Sequence, residues 1–184
     1  VMMNTVAPVW DGNETWMVLG GAGLFAAFPL VYSTVLSALY MPIILMVIAL
    51  IFRGVAFEFR FKANKTKHLW DQAFIWGSIL SSFLQGVILG AYIQGIETTN
   101  GIYTGGGLDW LTPFSLFTGI SVVVLYATLG CGWLIFKTEK MLQNRMFELM
   151  PRLLISLLMI FACVSIYTPL AHPQIAERWF SQPQ

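Results

Sequence analysis

The chain has 184 residues, of which 57% are hydrophobic and 10% are charged, and its formal net charge is +1. Soluble domains carry about 25% charged residues. The low charge and the mean hydropathy of +0.72 therefore exclude an ordinary soluble domain and predict an integral membrane protein. The near-neutral balance gives no indication of a nucleic-acid-binding face.

The first long apolar stretch runs from Glu14 to Arg53 without a charged side chain. It is much longer than the roughly 20 apolar residues that cross a bilayer, so it predicts two transmembrane helices, over about 4–28 and 31–60, with a turn at Pro29. Small residues in the first helix (Gly20, Gly21 and Gly23) are typical of close helix packing in lipid. Pro42 predicts a kink inside the second helix.

Three more helices are predicted over about 70–95, 113–136 and 151–170, which makes five spans in all. We therefore expect an all-α fold, a polytopic transmembrane helix bundle, with 1–184 as one membrane domain. The segment 97–112 contains three consecutive glycines and is predicted to be a loop.

Lysine and arginine are concentrated at 62–69 and 137–152, whereas 97–112 has none. Because basic residues accumulate on the cytoplasmic side of membrane proteins, we expect the first two segments to be cytoplasmic and 97–112 to lie outside. Counting spans back then places Asp11 and Glu14 on the cytoplasmic side as well.

Asp11 and Glu14 are three residues apart, so they share a face if the helix has begun by Asp11. Carboxylates at the end of a membrane helix commonly mark a proton path, and the neighbouring Asn13 would support hydration. In the simpler alternative, Asp11 caps the helix and both acids interact with its dipole. The carboxylates could pair with Arg53 or with Arg60.

Glu58 lies between Arg53 and Arg60 in sequence, so Arg53 and Glu58 are candidate charge partners in this network. Arg53 could instead extend towards the headgroups.

No hydrolytic triad or phosphate-binding loop is present, and no residue is predicted to be catalytic or to bind a metal. His68 and His172 lack the spacing to a second axial ligand that a buried haem needs, so no haem is predicted on this chain.

The chain shows a family resemblance in three stretches, 10–16, 20–29 and 52–60, which read WDGNETW, GGAGLFAAFP and FRGVAFEFR. They resemble the second subunit of cytochrome bd-type quinol oxidases. Shorter matches follow in the expected order, at Trp70-Asp71, Gly86-Val87, Gln94-Gly95 and Pro113-Phe114. The similarity runs through most of 8–145 and weakens after it.

The resemblance implies a respiratory quinol:oxygen oxidoreductase in a bacterial or archaeal cytoplasmic membrane, with haem b and haem d held by a partner, subunit I. The second subunit would support assembly, contact lipid and, in some members, hold a structural quinone. Asp11 matches the aspartate that the family links to a proton route from the cytoplasm. Asp11, Asn13 and Glu14 are therefore the predicted proton-pathway residues.

The chain begins at Val1 without a signal-peptide pattern, and it lacks the family's first helix and second half, so we expect it to be a piece of a longer protein. Two other functions stay open from the sequence. A haem-free transporter or ion channel would use the same carboxylates for a solute, and a structural scaffold would make Asp11 dispensable. The quinone type, the use of haem b in place of haem d, and any small accessory subunits are not determined by this sequence.

Overall fold

The computed structural model describes residues 2–99, 101–171 and 173–181, without the side chains at 13, 173–175 and 178. In this part of the chain seven helices and one short β-hairpin follow one another. Their bounds are α1 Met2–Val6, α2 Trp10–Ala27, α3 Pro29–Lys62, α4 Lys67–Gln94, β1 Thr98–Thr99, β2 Ile102–Tyr103, α5 Pro113–Lys137, α6 Lys140–Ala171 and α7 Pro173–Phe180. The chain forms two compact units, one up to Val123 and one from Val124 onward.

Four of the described helices, α3, α4, α5 and α6, are long and apolar enough to cross a membrane. The predicted all-α transmembrane fold is therefore confirmed. Helix α2, the first of the five predicted spans, is not among the four. It has 18 residues, which corresponds to about 27 Å, and its first turns contain the charged residues Asp11 and Glu14.

The helix boundaries differ from the sequence prediction in two places. The first predicted helix, 4–28, is divided into α1 and α2 by a turn at residues 7–9, because Pro8 cannot donate a helical hydrogen bond. The last predicted helix, 151–170, begins much earlier, at Lys140, and includes Pro151 in its interior. The stretch from 140 to 150 is rich in Met, Leu, Gln and Glu, which are good helix formers.

The predicted turn and the predicted kink are both present. Phe28 alone separates α2 from α3, with φ −137° and ψ 64°, and Pro29 occupies the first turn of α3. Pro42 lies inside α3, and Leu39, one turn before it, has non-helical angles of φ −114° and ψ 17°. A proline ring clashes with the carbonyl four residues earlier and provides no N–H for it, which explains why the distortion lies there.

Helix α4 is the centre of the first unit, because it packs closely against α3 and against the start of α5. A Cβ atom at Gly77 would lie 2.7 Å from the Ala49 carbonyl oxygen of α3. On α5, the Thr118 hydroxyl lies 2.9 Å from the Gly86 carbonyl oxygen. These contacts require small residues on α4, as is usual where helices approach closely in a membrane.

The segment predicted as a loop contains the β-hairpin, in which Thr98 pairs with Tyr103 and Thr99 with Ile102. The Thr34 hydroxyl of α3 lies 2.9 Å from the Gly101 carbonyl oxygen, which fixes the hairpin to α3. Gly101 has a positive φ of 80°, a conformation that glycine adopts without strain. The sequence Asn100-Gly101 is a strong hairpin signal that the sequence prediction did not use.

In the second unit, the end of α5 and the beginning of α6 pack side by side after a short turn. The Gln143 side chain donates to the Ile135 carbonyl oxygen at 2.9 Å, and the Cys131 thiol lies 3.3 Å from the Met146 carbonyl oxygen. Cys131 is buried and Cys163 is exposed in the described chain, and both are free thiols.

Candidate functional site

Three aromatic rings join the ends of α2, α3 and α4 where the charged residues are concentrated. Trp10 of α2 stacks on Phe57 of α3, with ring centroids 4.9 Å apart and an interplanar angle of 11°. Phe57 in turn meets Phe74 of α4 edge to face, at 5.1 Å. Gly54 leaves space for the indole, because a Cβ there would lie 3.3 Å from the Trp10 ring. The start of α2 therefore lies against the last third of α3, as the predicted hairpin of these helices requires.

Glu14 and Arg53 are one helical turn from this aromatic contact, on facing helices. The Glu14 Oε1 and Arg53 Nε atoms are buried, and each lacks a hydrogen-bond partner among the described residues. The two side chains are close enough for the charge of Arg53 to act on the Glu14 carboxyl group, but they form no ion pair among the described residues. The structure thus places Glu14 near its predicted charge partner Arg53 without pairing the two.

Asp11 lies in the first turn of α2 and is exposed. The N-cap position belongs to Val9, and no side chain forms a capping hydrogen bond there. The alternative in which Asp11 caps the helix is therefore not what the structure shows, although the helix dipole still favours a carboxylate at this point. The Asn13 side chain lies outside the described part of the chain.

The other predicted charge partner, Glu58, lies further along α3 and forms its ion pair with Lys62, at 3.5 Å on an exposed surface. Arg60, which the sequence offered as a partner for Asp11 or Glu14, instead pairs with Asp71 of α4. Of the two arginines that the sequence offered as partners, Arg53 is therefore the one without an ion pair in the described part of the chain.

Ser78 lies at the level of Arg53 along the α3–α4 contact, and the sequence analysis did not identify it. Its hydroxyl oxygen is buried and has no partner in the described residues. It directly follows Gly77, whose Cβ position lies 3.0 Å from the Arg53 backbone nitrogen, so Ser78 lies close to the level of Arg53. The sequence does not distinguish Ser78 from Ser81 and Ser82 in the same apolar helix. The hydroxyls of those two residues donate to the Ser78 carbonyl oxygen of their own helix.

Helix α4 also contacts α2 directly, since the Gln85 amide nitrogen lies 3.4 Å from the Met17 sulfur. Among the described residues, no group of three or more His, Cys, Asp or Glu side chains is arranged to hold a metal ion. His68 lies in the first turn of α4, and His172 lies outside the described residues.

Comparison with known proteins supports the resemblance. The family described as cytochrome bd terminal oxidase subunit II matches residues 1–180. A probable cytochrome oxidase subunit 2 of Haemophilus influenzae is 35% identical over 154 residues, which are 79% of this chain and 40% of that protein. The cytochrome bd ubiquinol oxidase subunit 2 of Bacillus subtilis is 34% identical over 149 residues, 79% of this chain and 44% of that protein.

The cytochrome bd-I ubiquinol oxidase subunit 2 of Escherichia coli K12 is 33% identical over 156 residues, again 79% of this chain and 40% of the relative. The chain thus spans about two fifths of the length of the relatives it matches. With a family match over nearly its whole length and membrane-spanning helices as its main elements, the chain belongs to the cytochrome bd terminal oxidase subunit II family.

Proposed function

We propose that this chain is part of the non-haem subunit of a respiratory quinol:oxygen oxidoreductase in a bacterial or archaeal cytoplasmic membrane. Its partner would be a subunit I that holds haem b and haem d, and the complex would use quinol and dioxygen. The support is the family match and the names of the Bacillus subtilis and Escherichia coli relatives, which are subunits of ubiquinol oxidases. The chain would support assembly of the haem subunit and supply protons to it, and it could carry a structural quinone.

The orientation we propose places 62–69 and 137–152 in the cytoplasm. The contact between Trp10 and Phe57 supports a cytoplasmic start of α2, because Phe57 is little more than one turn from Lys62 at the end of α3. Asp11 would then be exposed on the side of the membrane from which protons are taken.

The observation that carries the proton-supply role is the set of buried polar atoms without partners, Glu14 Oε1, Arg53 Nε and Ser78 Oγ. Leaving one such group unsatisfied costs about 1–3 kcal/mol. Buried water normally satisfies groups of this kind when a site is polar. We therefore infer that water occupies the space between α2, α3 and α4 at the level of Arg53.

In this arrangement Asp11 accepts a proton from the aqueous phase and releases it to the water beside Glu14. Arg53 keeps the local charge balanced while the carboxylates are ionised, since opposite charges favour each other's charged form. Asn13 and Glu14 support the hydration of the path. No residue of this chain is proposed to act on quinol or dioxygen.

The transporter alternative predicts a function without haem, and membership of an oxidase family favours the oxidase. The scaffold alternative is favoured by one observation, the open glycine face of α2, where Cβ atoms at Gly20, Gly21 and Gly23 would meet nothing within 4 Å in the described chain. It predicts that larger residues at Gly20 or Gly23 break assembly while Asp11→Asn has no effect.

The test is the variant Asp11→Asn in the full-length subunit within the complete oxidase. We expect oxygen consumption with quinol to fall roughly 10- to 100-fold, because a positioned proton-transfer group contributes at least this much, while the reduced-minus-oxidised haem spectrum stays unchanged. Glu14→Gln should give a smaller loss. Glu58→Gln is the matched control, since Glu58 pairs with Lys62 on the exposed surface. Full turnover of Asp11→Asn with normal haem content would contradict the proton role and leave the scaffold alternative.

A further inference from the structure

An apolar groove lies at the opposite end of the α3–α4 pair from Asp11. It has a volume of about 430 Å³ and is formed by the start of α3, the end of α4 and the β-hairpin. This volume is within the roughly 300–1,000 Å³ of small-molecule sites. Leu30 and Tyr92 on its walls are 75% and 55% exposed, so the groove opens towards the surroundings of two membrane-spanning helices.

A second cavity, of about 170 Å³, adjoins the groove, because Gly95 and Ile96 line both. Its walls have a different chemistry, with two carboxylates and two aromatic rings, from Glu97, Asp109, Tyr103 and Trp110. Tyr103 and Trp110 pack against the buried cluster of Ala38, Leu39 and Ala91. The cavity is therefore built on the core of the first unit.

The electrostatic character of this cavity is negative. The segment 97–112 contains Glu97 and Asp109 but no lysine or arginine. Asp109 accepts hydrogen bonds from the Gly106 backbone nitrogen and the Tyr103 hydroxyl. Burial, the hydrogen bond to Asp109 and the charge of Glu97 raise the pKa of Tyr103. Glu97 forms no ion pair among the described residues, so its charge is available to a ligand.

An apolar groove beside a negative, aromatic-lined cavity fits a molecule with a hydrocarbon chain at one end and a cation at the other. Ammonium groups are attracted both by carboxylates and by aromatic faces. A headgroup whose only charge is negative would instead be repelled by Glu97 and Asp109. Helices α3 and α4 are surrounded by lipid in a membrane, so molecules with a hydrocarbon chain and a cationic group are present there at high local concentration.

We propose that the groove and the cavity together bind one phospholipid with a primary-amine headgroup. An acyl chain lies along Leu30, Val31 and Val35, and the ammonium group lies between the carboxylates of Glu97 and Asp109. This site is separate from the Asp11 end of the bundle, and the proposal does not depend on the oxidase function.

The experiment uses the full-length subunit in its complete complex, exchanged into nanodiscs that contain equal amounts of phosphatidylethanolamine and phosphatidylglycerol. Native mass spectrometry then counts the lipids that stay bound after release from the nanodisc. We expect selective retention of phosphatidylethanolamine. Glu97→Gln should lower this retention about tenfold, the effect of losing one charge-assisted hydrogen bond.

Glu139→Gln is the matched control, because Glu139 is exposed and lies in the second unit, and it should retain as much phosphatidylethanolamine as the unchanged protein. Val31→Trp is a second variant that fills the groove without changing a charge, and it should also reduce retention. Val31 is 43% exposed, so a larger side chain there does not disturb the core.

Several results would overturn the proposal. Equal retention of phosphatidylglycerol, or unchanged retention in Glu97→Gln or in Val31→Trp, would show that the amine or the groove is not used. A density map of the complete complex that shows a protein segment in the groove would mean that this segment, and not a lipid, occupies the site.

Discussion

Helices α2 and α4 are both rich in glycine, but the glycines have opposite surroundings. On α4, Cβ atoms at Gly86 and Gly90 would lie 2.4 Å and 2.0 Å from Thr118 oxygen atoms of α5. On α2, Cβ atoms at Gly20 and Gly21 would meet nothing within 4 Å among the described residues. The same residue type therefore has two roles in one unit.

The glycines of α4 allow close packing between helices of this chain, whereas those of α2 are open to contact with another helix. Apolar side chains gain little from leaving lipid, so membrane helices associate mainly through close packing and interhelical hydrogen bonds. Helix α4 meets this requirement within the chain. On α2, Val18 and Leu19 are 74% and 57% exposed, and the open face is free to pack against a helix that lies outside the described residues.

The largest expected effect is that of Gly86→Ala. The new methyl group would lie 2.4 Å from the Thr118 carbonyl oxygen and 2.7 Å from the Gly119 Cα, so the backbones of α4 and α5 must separate. Overpacking of this kind costs about 1–3 kcal/mol, which outweighs the gain of up to about 1 kcal/mol in helix propensity. Thermal unfolding of the full-length protein should show a lower midpoint.

Gly21→Ala is the control for this change, since the same methyl group meets open space. It should leave the midpoint unchanged or raise it slightly through helix propensity. An equal fall of the unfolding midpoint in both variants would contradict the distinction between the packed glycines of α4 and the open glycines of α2. A loss in Gly21→Ala that occurs only in the presence of the partner subunit would show that the open face is buried in the complex.

An intermediate effect is expected for Thr118→Val, which keeps the shape of the side chain and removes its hydroxyl. That hydroxyl has one proton and three carbonyl oxygens within reach: Gly86 on α4 at 2.9 Å and, on its own helix, Ser115 at 2.8 Å and Phe114 at 3.1 Å. Interhelical hydrogen bonds in membranes contribute about 0.6 to 1.7 kcal/mol, so the free energy of unfolding should fall by up to this amount. Thr128→Val on the same helix removes only a bond to Val124 of its own helix and should have a smaller effect in the same denaturation measurement.

The smallest effect is expected at the end of the α3–α4 contact, where Arg60 pairs with Asp71. The two side chains are 28% and 39% exposed, and partly exposed ion pairs contribute about 0–1 kcal/mol. Asp71→Asn should therefore lower the unfolding midpoint slightly at low salt and not at high salt. Glu58→Gln, which breaks the exposed pair with Lys62 within α3, should change it still less. A loss for Asp71→Asn that persists at high salt would point to packing instead of charge.

Much of the fold could be predicted because the governing signals are local. The gap in charge between Glu14 and Arg53 predicted a helical hairpin, and Pro42 predicted the distortion that occurs at Leu39. Pro151 led to a wrong start for the last helix. Proline is favoured in the first turn of a helix, whereas here it lies inside α6. The good helix formers at 140–150 extend α6 towards its start. They include polar and charged residues, so a prediction based on apolar stretches leaves them out of the helix.

The candidate site could be predicted only in part, because its members come from three helices. The acids and arginines were visible as charges in an apolar sequence, and Arg53 lies near Glu14 without forming an ion pair with it in the described residues. Which arginine would do so depends on the rotation of α3 about its axis, which sequence does not give. Ser78 depends on the close contact at Gly77, a property of the packing between α3 and α4.

Helix α3 has 34 residues, which corresponds to about 50 Å of helix at 1.5 Å per residue. The hydrocarbon core of a bilayer is about 30 Å thick, so roughly two fifths of this helix exceeds that thickness. The uncharged part of α3 ends at Phe52, and Arg53 follows directly. In the orientation that we propose, Glu14 lies near the depth where hydrocarbon gives way to headgroups, so the water that we propose beside it would have only a short distance to travel from the aqueous phase.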